Sequence, residues 1–128
     1  TNRAHFARAA LEGVCYQTRD VLTCMRDDSQ LDLTLLRADG GMAVNQWFLQ
    51  FMADQCQLTI QKPKDIETTA KGAAVLAAIG SGLFDSVSSV NKVWDIENEF
   101  QPFREREVVE KDFRGWLEAL AMVKARHA

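Results

Sequence analysis

Residues 33–50 read LTLLRADGGMAVNQWFLQ, and the order of residue types in that stretch decides the fold. An apolar run (Leu33, Leu35, Leu36) leads through Arg37-Ala38-Asp39 to the adjacent glycines Gly40-Gly41, and then into an amphipathic segment that opens at Met42. A strand, a glycine turn and a helix in that order set the helix's unpaired N–H groups and positive dipole end beside the end of the strand. That arrangement suits a phosphate or another anion. Adjacent glycines permit positive φ and let a flat ligand approach without meeting a Cβ. Asn45 falls at or near the first helical turn, where its amide can hydrogen-bond a ligand lying over the glycines. The same pattern also describes an ordinary tight βα connection with Asp39 capping the helix, and the stretch alone leaves both readings open.

The 128 residues suffice for one domain with a real core, and 47% apolar with 26% charged residues is a globular composition. A net charge of −3 argues against a nucleic-acid partner held by its backbone charge. No apolar run approaches the roughly 18–20 residues of a membrane helix, so no membrane partner is expected. The chain opens at Thr1 inside a helix-starting sequence, with neither a signal-peptide pattern nor an initiator Met, as expected of a piece of a longer protein. Cys15, Cys24 and Cys56 make no disulfide framework, since Cys15 and Cys24 lie on one helix about half a turn out of phase. Without CxxC or Cys/His spacing no zinc site is expected, and free, mostly buried thiols in a reducing cytoplasm are.

Outward from the central stretch, residues 2–26 read as one long helix. Asn2 is its cap, Phe6, Ala10, Val14, Val21 and Met25 form its stripe, Leu11, Cys15 and Leu22 widen it, and Glu12, Arg19 and Asp20 fall on the other side. Asp27-Asp28-Ser29 is expected to end the helix before a strand over 31–38. After Gly41, Val44, Phe48, Phe51 and Met52 share a helical face that ends near Cys56-Gln57, and 58–61 gives a second strand. Strand, helix and strand make a βαβ unit with parallel pairing and a right-handed crossover. Over 65–80, capped by Thr68 or Thr69, a helix of small residues (Ala70, Gly72, Ala73, Ala74) is expected to be buried. Gly80-Ser81-Gly82 stops it, 85–91 is a serine-rich loop, 93–103 looks extended with Trp94, Ile96 and Phe100 alternating, and a last helix spans 105–126. Four apolar-faced helices against two convincing strands leave an apolar face and a strand edge to be covered, and self-association into a homo-oligomer is expected.

With these segments in place the sequence resembles the C-terminal part of the FGGY carbohydrate kinases, and within that family the branch that phosphorylates glycerol. Three ordered blocks carry the resemblance: 5–12 (HFARAALE) followed by Tyr16-Gln17-Thr18-Arg19-Asp20, then 36–41 (LRADGG) with Asn45, then 67–74 (ETTAKGAA), where the family more often has Leu at the Lys71 position. The resemblance implies an α/β fold, part of a ribonuclease-H-like domain of the actin-like ATPase type. Parallel strands carry helices in it, and the domain's early strands would precede Thr1. It implies ATP with Mg2+ as cofactor and glycerol as the small-molecule substrate, with Gly41 and Asn45 at the adenine nucleotide and Gly40 completing the turn. Asp39 matches a family aspartate near the site and serves equally well as a turn residue. The family's catalytic aspartate, its phosphate loop and its polyol-holding residues would also lie upstream of Thr1, so no catalytic residue is expected in this chain. Another FGGY sugar or polyol kinase (for xylulose or gluconate) and a non-catalytic actin-like module are the alternatives.

Several residues invite a sharper reading than their surroundings support. His5 lacks a Ser, Cys or Asp partner and reads as a structural histidine at a helix start. Glu97, Glu99, Glu105, Glu107 and Glu110 read as a solvated acidic face rather than a metal site. Trp47 and Trp116 invite reading as an aromatic ligand platform but are spaced for core or interdomain packing, His127 reads as a solvated tail, and Glu67 as either a helix start or a role in the cleft.

Overall fold

Asn2 starts the fold. Its side chain accepts from the His5 backbone N–H and the His5 Nδ1 accepts from the Asn2 N–H, each at 3.1 Å, a reciprocal capping box. The structure, a computed structural model, describes residues 1–65, 67–86, 88 and 95–126. Helix α1 (Arg3–Ser29) runs for 27 residues, through the Asp27-Asp28-Ser29 segment expected to end it. It stops only where Gln30 turns left-handed at φ 56° and returns its N–H to the Arg26 carbonyl. There follow β1 (Leu35–Arg37), a 3₁₀ turn (Gly41–Val44), α2 (Gln46–Cys56), β2 (Thr59–Pro63), α3 (Thr68–Gly80), β3 (Ile96–Phe100) and α4 (Arg106–Ala125).

The sheet runs β1-β2-β3. β1 and β2 pair in parallel, with Leu36 opposite Ile60, so the βαβ unit stands as expected. β3 lies antiparallel to β2, with Ile60 opposite Phe100. The sheet is therefore mixed rather than wholly parallel, and the extended stretch around Ile96 supplies the third strand that the residue pattern left in doubt. β1 is shorter than 31–38, because β2 begins only at Thr59 and offers nothing to pair with the residues before Thr34.

The core forms around α2. Phe48, Leu49, Phe51, Met52, Ala53 and Cys56 are buried on it, against Leu58 and Ile60 from the sheet side and Cys15 and Leu22 from α1. Partial burial of Leu11 and Tyr16 extends that contact. The stripe expected to pack is thus the wrong half of α1: Phe6 is 71% exposed, and Val21 and Met25 are exposed with it. The supposed outer side faces α4, where the Arg19 guanidinium lies 4.0 Å from the Phe113 ring centroid and 2.6 Å from Glu110, and Trp116 Nε1 donates to Asp20. α1 is apolar over more than one face, and only the faces that meet α2 and α4 find cover.

α3 also departs from expectation. None of its residues is buried, and its cap position is Glu67, whose side chain makes no capping bond, with Thr68 and Thr69 already inside the helix. Small side chains allow close approach but do not produce it, and this helix meets little of the rest of the described chain. In α4 only Val109 is buried, with Phe113, Trp116 and Leu120 half-buried. Trp94, His127 and part of the serine-rich 85–91 loop lie outside the described residues. Of the acidic side chains, Glu97 pairs with Lys62 at 2.6 Å and Glu99 accepts from Gln61 at 2.9 Å, so both serve the β2–β3 pair. Among the described residues no group of three metal-capable side chains comes together, and no helix is long and apolar enough to cross a membrane.

Asp54 is the polar centre of this packing. It is 2% exposed, and its Oδ1 accepts from the backbone N–H groups of Phe103 (2.9 Å) and Arg104 (3.3 Å), tying α2 to the β3–α4 connection. Asp54→Ala leaves two backbone donors without a partner and is expected to lower stability by about 2–4 kcal/mol in urea unfolding. Phe6→Ala, on the uncovered side of α1, is expected to change it by no more than about 0.5 kcal/mol.

All three cysteines are free, with Cys15 and Cys56 buried and Cys24 exposed. Burial pushes the Cys15 thiol up to about 12, and that of Cys56 to about 11 against the opposing pull of Arg19 and Arg26. The unfolded chain therefore releases these protons first. The stability they contribute is complete below the ordinary thiol value of 9.0 and is lost as pH rises through about 11 and 12. Unfolding free energy should accordingly fall as pH is raised above about 9. A thiol reagent at neutral pH should label Cys24 in the native protein and the other two only on unfolding.

Candidate functional site

β1 delivers the chain to the glycine turn with its pairing intact as far as Ala38, whose N–H donates to the Gln61 carbonyl at 3.0 Å. Gly40 then adopts φ 84° and ψ −178°, a region essentially closed to residues with a Cβ. Gly41 begins the 3₁₀ turn, which the Ala43 N–H closes onto the Gly40 carbonyl at 3.0 Å. The helix expected to open at Met42 is thus delayed by one tight turn, and α2 proper starts at Gln46.

Asn45 joins the two pieces. Its backbone N–H closes the 3₁₀ turn onto Met42, its side-chain Oδ1 accepts from the Phe48 N–H at 3.2 Å, and its carbonyl accepts from Leu49. It is the N-cap of α2, so the capping role that the sequence also allowed to Asp39 belongs to Asn45. Asp39 is exposed and caps neither helical segment. Capping occupies only the oxygen of the Asn45 amide. Its Nδ2 has no hydrogen-bond partner among the described residues, and Asn45 borders an open groove of about 380 Å³ that Arg8, Leu11 and Trp47 also line.

Among the described residues nothing crowds either glycine. A Cβ built on Gly40 or on Gly41 would meet no atom within 4 Å. Gly40 has a conformational reason to be glycine, whereas Gly41 has neither positive φ nor a close neighbour. What the arrangement offers is a flat backbone surface, the uncommitted N–H groups of a helical start and one free amide donor. A planar, hydrogen-bonding ligand with an anionic portion fits such a surface. Beside it Trp47, 43% exposed, stacks on Phe51 with centroids 5.2 Å apart and carries the Arg8 guanidinium at 5.8 Å. It lies at the groove rather than in the core, unlike Trp116, which stacks on Tyr16 at 5.6 Å between α1 and α4.

The structure brings Gly40, Gly41 and Asn45 together on one turn, with Asp39 at its edge. Glu67 stands at the start of α3, its N–H donating to Asp65 Oδ1 at 3.0 Å. Trp47, which the sequence offered as part of an aromatic ligand platform but favoured for packing, forms a wall of the groove.

Residues 1–81 match the C-terminal domain of the FGGY family of carbohydrate kinases. The chain is 44% identical over 118 residues to the glycerol kinase of Caldanaerobacter subterraneus subsp. tengcongensis, covering 92% of this chain and 24% of that protein. Among solved structures it is similar to the glycerol kinase of Plasmodium falciparum with ADP (TM-score 0.83, 32% identity, 95% of this chain and 24% of that one). It is also similar to the xylulose kinase of Lactobacillus acidophilus (TM-score 0.79, 20% identity, 98% of this chain and 26% of that one). The chain thus spans about a quarter of the length of the relatives it matches.

Unfolding measurements separate the structural duties of these residues. Gly40→Ala should destabilise by about 1–3 kcal/mol through backbone strain. Asn45→Ala should lose about 1 kcal/mol with the helix cap, and Asn45→Ser should recover most of it. Gly41→Ala should stay within about 0.5 kcal/mol, having no strain and no neighbour to displace.

Proposed function

This chain belongs to the FGGY family of carbohydrate kinases, and on that premise we propose that it is the C-terminal, nucleotide-binding part of a glycerol kinase. The whole enzyme transfers the γ-phosphate of ATP to a terminal hydroxyl of glycerol, giving glycerol 3-phosphate. The observation that carries this reading is the vacant, Cβ-free surface over Gly40 and Gly41 at the start of a helix, with the Asn45 Nδ2 free beside it. The adenine nucleotide lies on that surface. Gly41 leaves room for it, Gly40 supplies the bend, and Asn45 donates one hydrogen bond while its oxygen holds α2 in place.

Phosphoryl transfer consists mainly of positioning and charge stabilisation. In this division of labour the 128 residues bind and orient the nucleotide. The acceptor hydroxyl, its base and the phosphate loop belong to the rest of the cleft. Mg2+ bound with ATP would supply charge stabilisation to the transferred phosphate. The chain works in the cytoplasm, and the apolar positions left open on α1 and α3, such as Phe6 and Leu76, are covered by further protein in a homo-oligomer of the whole enzyme. A xylulose or gluconate kinase has less support, since the likeness to the xylulose kinase at 20% identity carries the fold alone.

Calorimetric titration with ATP tests the site. Gly41→Val should weaken binding at least about tenfold, equivalent to about 1.4 kcal/mol, without loss of stability. Asn45→Ser, which keeps the cap and removes the amide donor, should weaken it by about 0.5–1.5 kcal/mol. Unchanged affinity in Gly41→Val would overturn the placement of the nucleotide. The chain by itself should not phosphorylate glycerol.

A further inference from the structure

At the other end of α2 from the glycine turn, a cavity of about 450 Å³ opens between the C-terminal half of α1, the approach to β1, the end of α2 and the start of α4. Three guanidinium groups line it (Arg19, Arg26, Arg106) against two carboxylates, Asp32 and Glu110. Glu110 is already taken by Arg19 Nη2 at 2.6 Å. Arg26 and Arg106 are exposed and have no ion-pair partner among the described residues. Gln55, also in the lining, is completely buried, and neither its Nε2 nor its Oε1 has a hydrogen-bond partner. The buried Nη1 of Arg19 is unpartnered as well.

An orphaned buried amide is costly and demands an explanation. Here the two buried donors without partners among the described residues, Arg19 Nη1 and Gln55 Nε2, belong to residues that line one cavity, and they are donors that recognise oxyanions. The C-terminal ends of α1 and α2 present carbonyls there, which would repel an anion, whereas α4 presents its N-terminal end. The Arg26 carbonyl, however, is satisfied by the Gln30 N–H, and the Asp54 carbonyl by the Gln57 amide at 2.8 Å. The arginines therefore dominate the field. We propose that this cavity binds a phosphate group. Arg26 and Arg106 clamp it from the rim, and the Arg19 Nη1 and the Gln55 Nε2 donate to it from within. Oε1 of Gln55 accepts from a hydroxyl or a water that accompanies the phosphate. α2 has 11 residues, so about 16 Å of helix separates this site from the glycine turn. The inference is independent of the nucleotide reading.

Titration of the 15N-labelled chain with inorganic phosphate, with chloride at equal ionic strength as control, tests the proposal. The Gln55 side-chain amide resonance should shift saturably with phosphate and not with chloride. Arg26→Ala and Arg106→Ala, both surface changes that leave the fold intact, should each weaken binding about fivefold or more. Gln55→Leu should weaken it too while raising thermal stability, because it removes the orphaned amide. A sugar monophosphate that binds more tightly than inorganic phosphate would identify the ligand as a phosphomonoester, and weaker binding would identify the free anion. A chloride-like response, no saturation at Gln55, or undiminished affinity in both arginine variants would overturn the site.

Discussion

The burial of α2 is the constraint on which the rest of this structure depends. It lies between α1 and the sheet, and nearly every residue from Phe48 to Cys56 is withdrawn from water. A helix so enclosed cannot shift without opening the core, and Asp54 fixes it further by accepting two backbone N–H groups from the β3–α4 connection. The carboxylate is tolerated inside because its Oδ1 accepts from two main-chain N–H groups and from the Gln50 amide. Together with the Gln50 amide, which donates to the Gln101 carbonyl at 2.9 Å, that side chain joins the β3–α4 connection to the helix that begins at the glycine turn.

The turn inherits its precision from that rigidity. Gly40 takes a backbone conformation that other residues avoid, the 3₁₀ segment follows at once, and Asn45 closes one helical segment while capping the next. Placing both tasks on one residue leaves the Asn45 Nδ2 aimed by backbone hydrogen bonds rather than by its own rotamer freedom. A donor so constrained contributes more to recognition than a flexible one, because less entropy is lost on binding. At Gly41, with ordinary φ and no close neighbour, the packing of the described residues gives no cause for a glycine.

Elsewhere the described chain is unevenly covered. α1 is apolar on the side that meets α2 and again on the side that meets solvent, and α3 buries nothing. Amphipathic pattern states that a helix has a face to hide, but not which neighbour will hide it. The two ends of α2 differ in the same sense. Its start is an open glycine turn, and its end adjoins a cavity walled by guanidinium groups and an unpartnered amide. The two environments suit different chemistry.

Sequence alone determined what depends on near neighbours along the chain. The Asn2–His5 cap, the order of strand, glycine turn and helix, the parallel β1–β2 pair and the bounds of α4 all follow from local patterns of period and turn chemistry. The sequence likewise puts Gly40, Gly41 and Asn45 within one turn, where the structure also has them. Tertiary structure decided what depends on distant partners. It chose which face of α1 packs, set Arg19 and Asp20 against α4, left α3 exposed and turned the sheet mixed by adding β3 antiparallel to β2. It also gave the capping role to Asn45 instead of Asp39, because a 3₁₀ turn postponed the helix, and it gathered three arginines and Gln55 around one cavity from segments far apart in the chain. Local hydrogen bonding is written in adjacent residues. Burial and charge pairing are settled only when remote segments compete for the same surface.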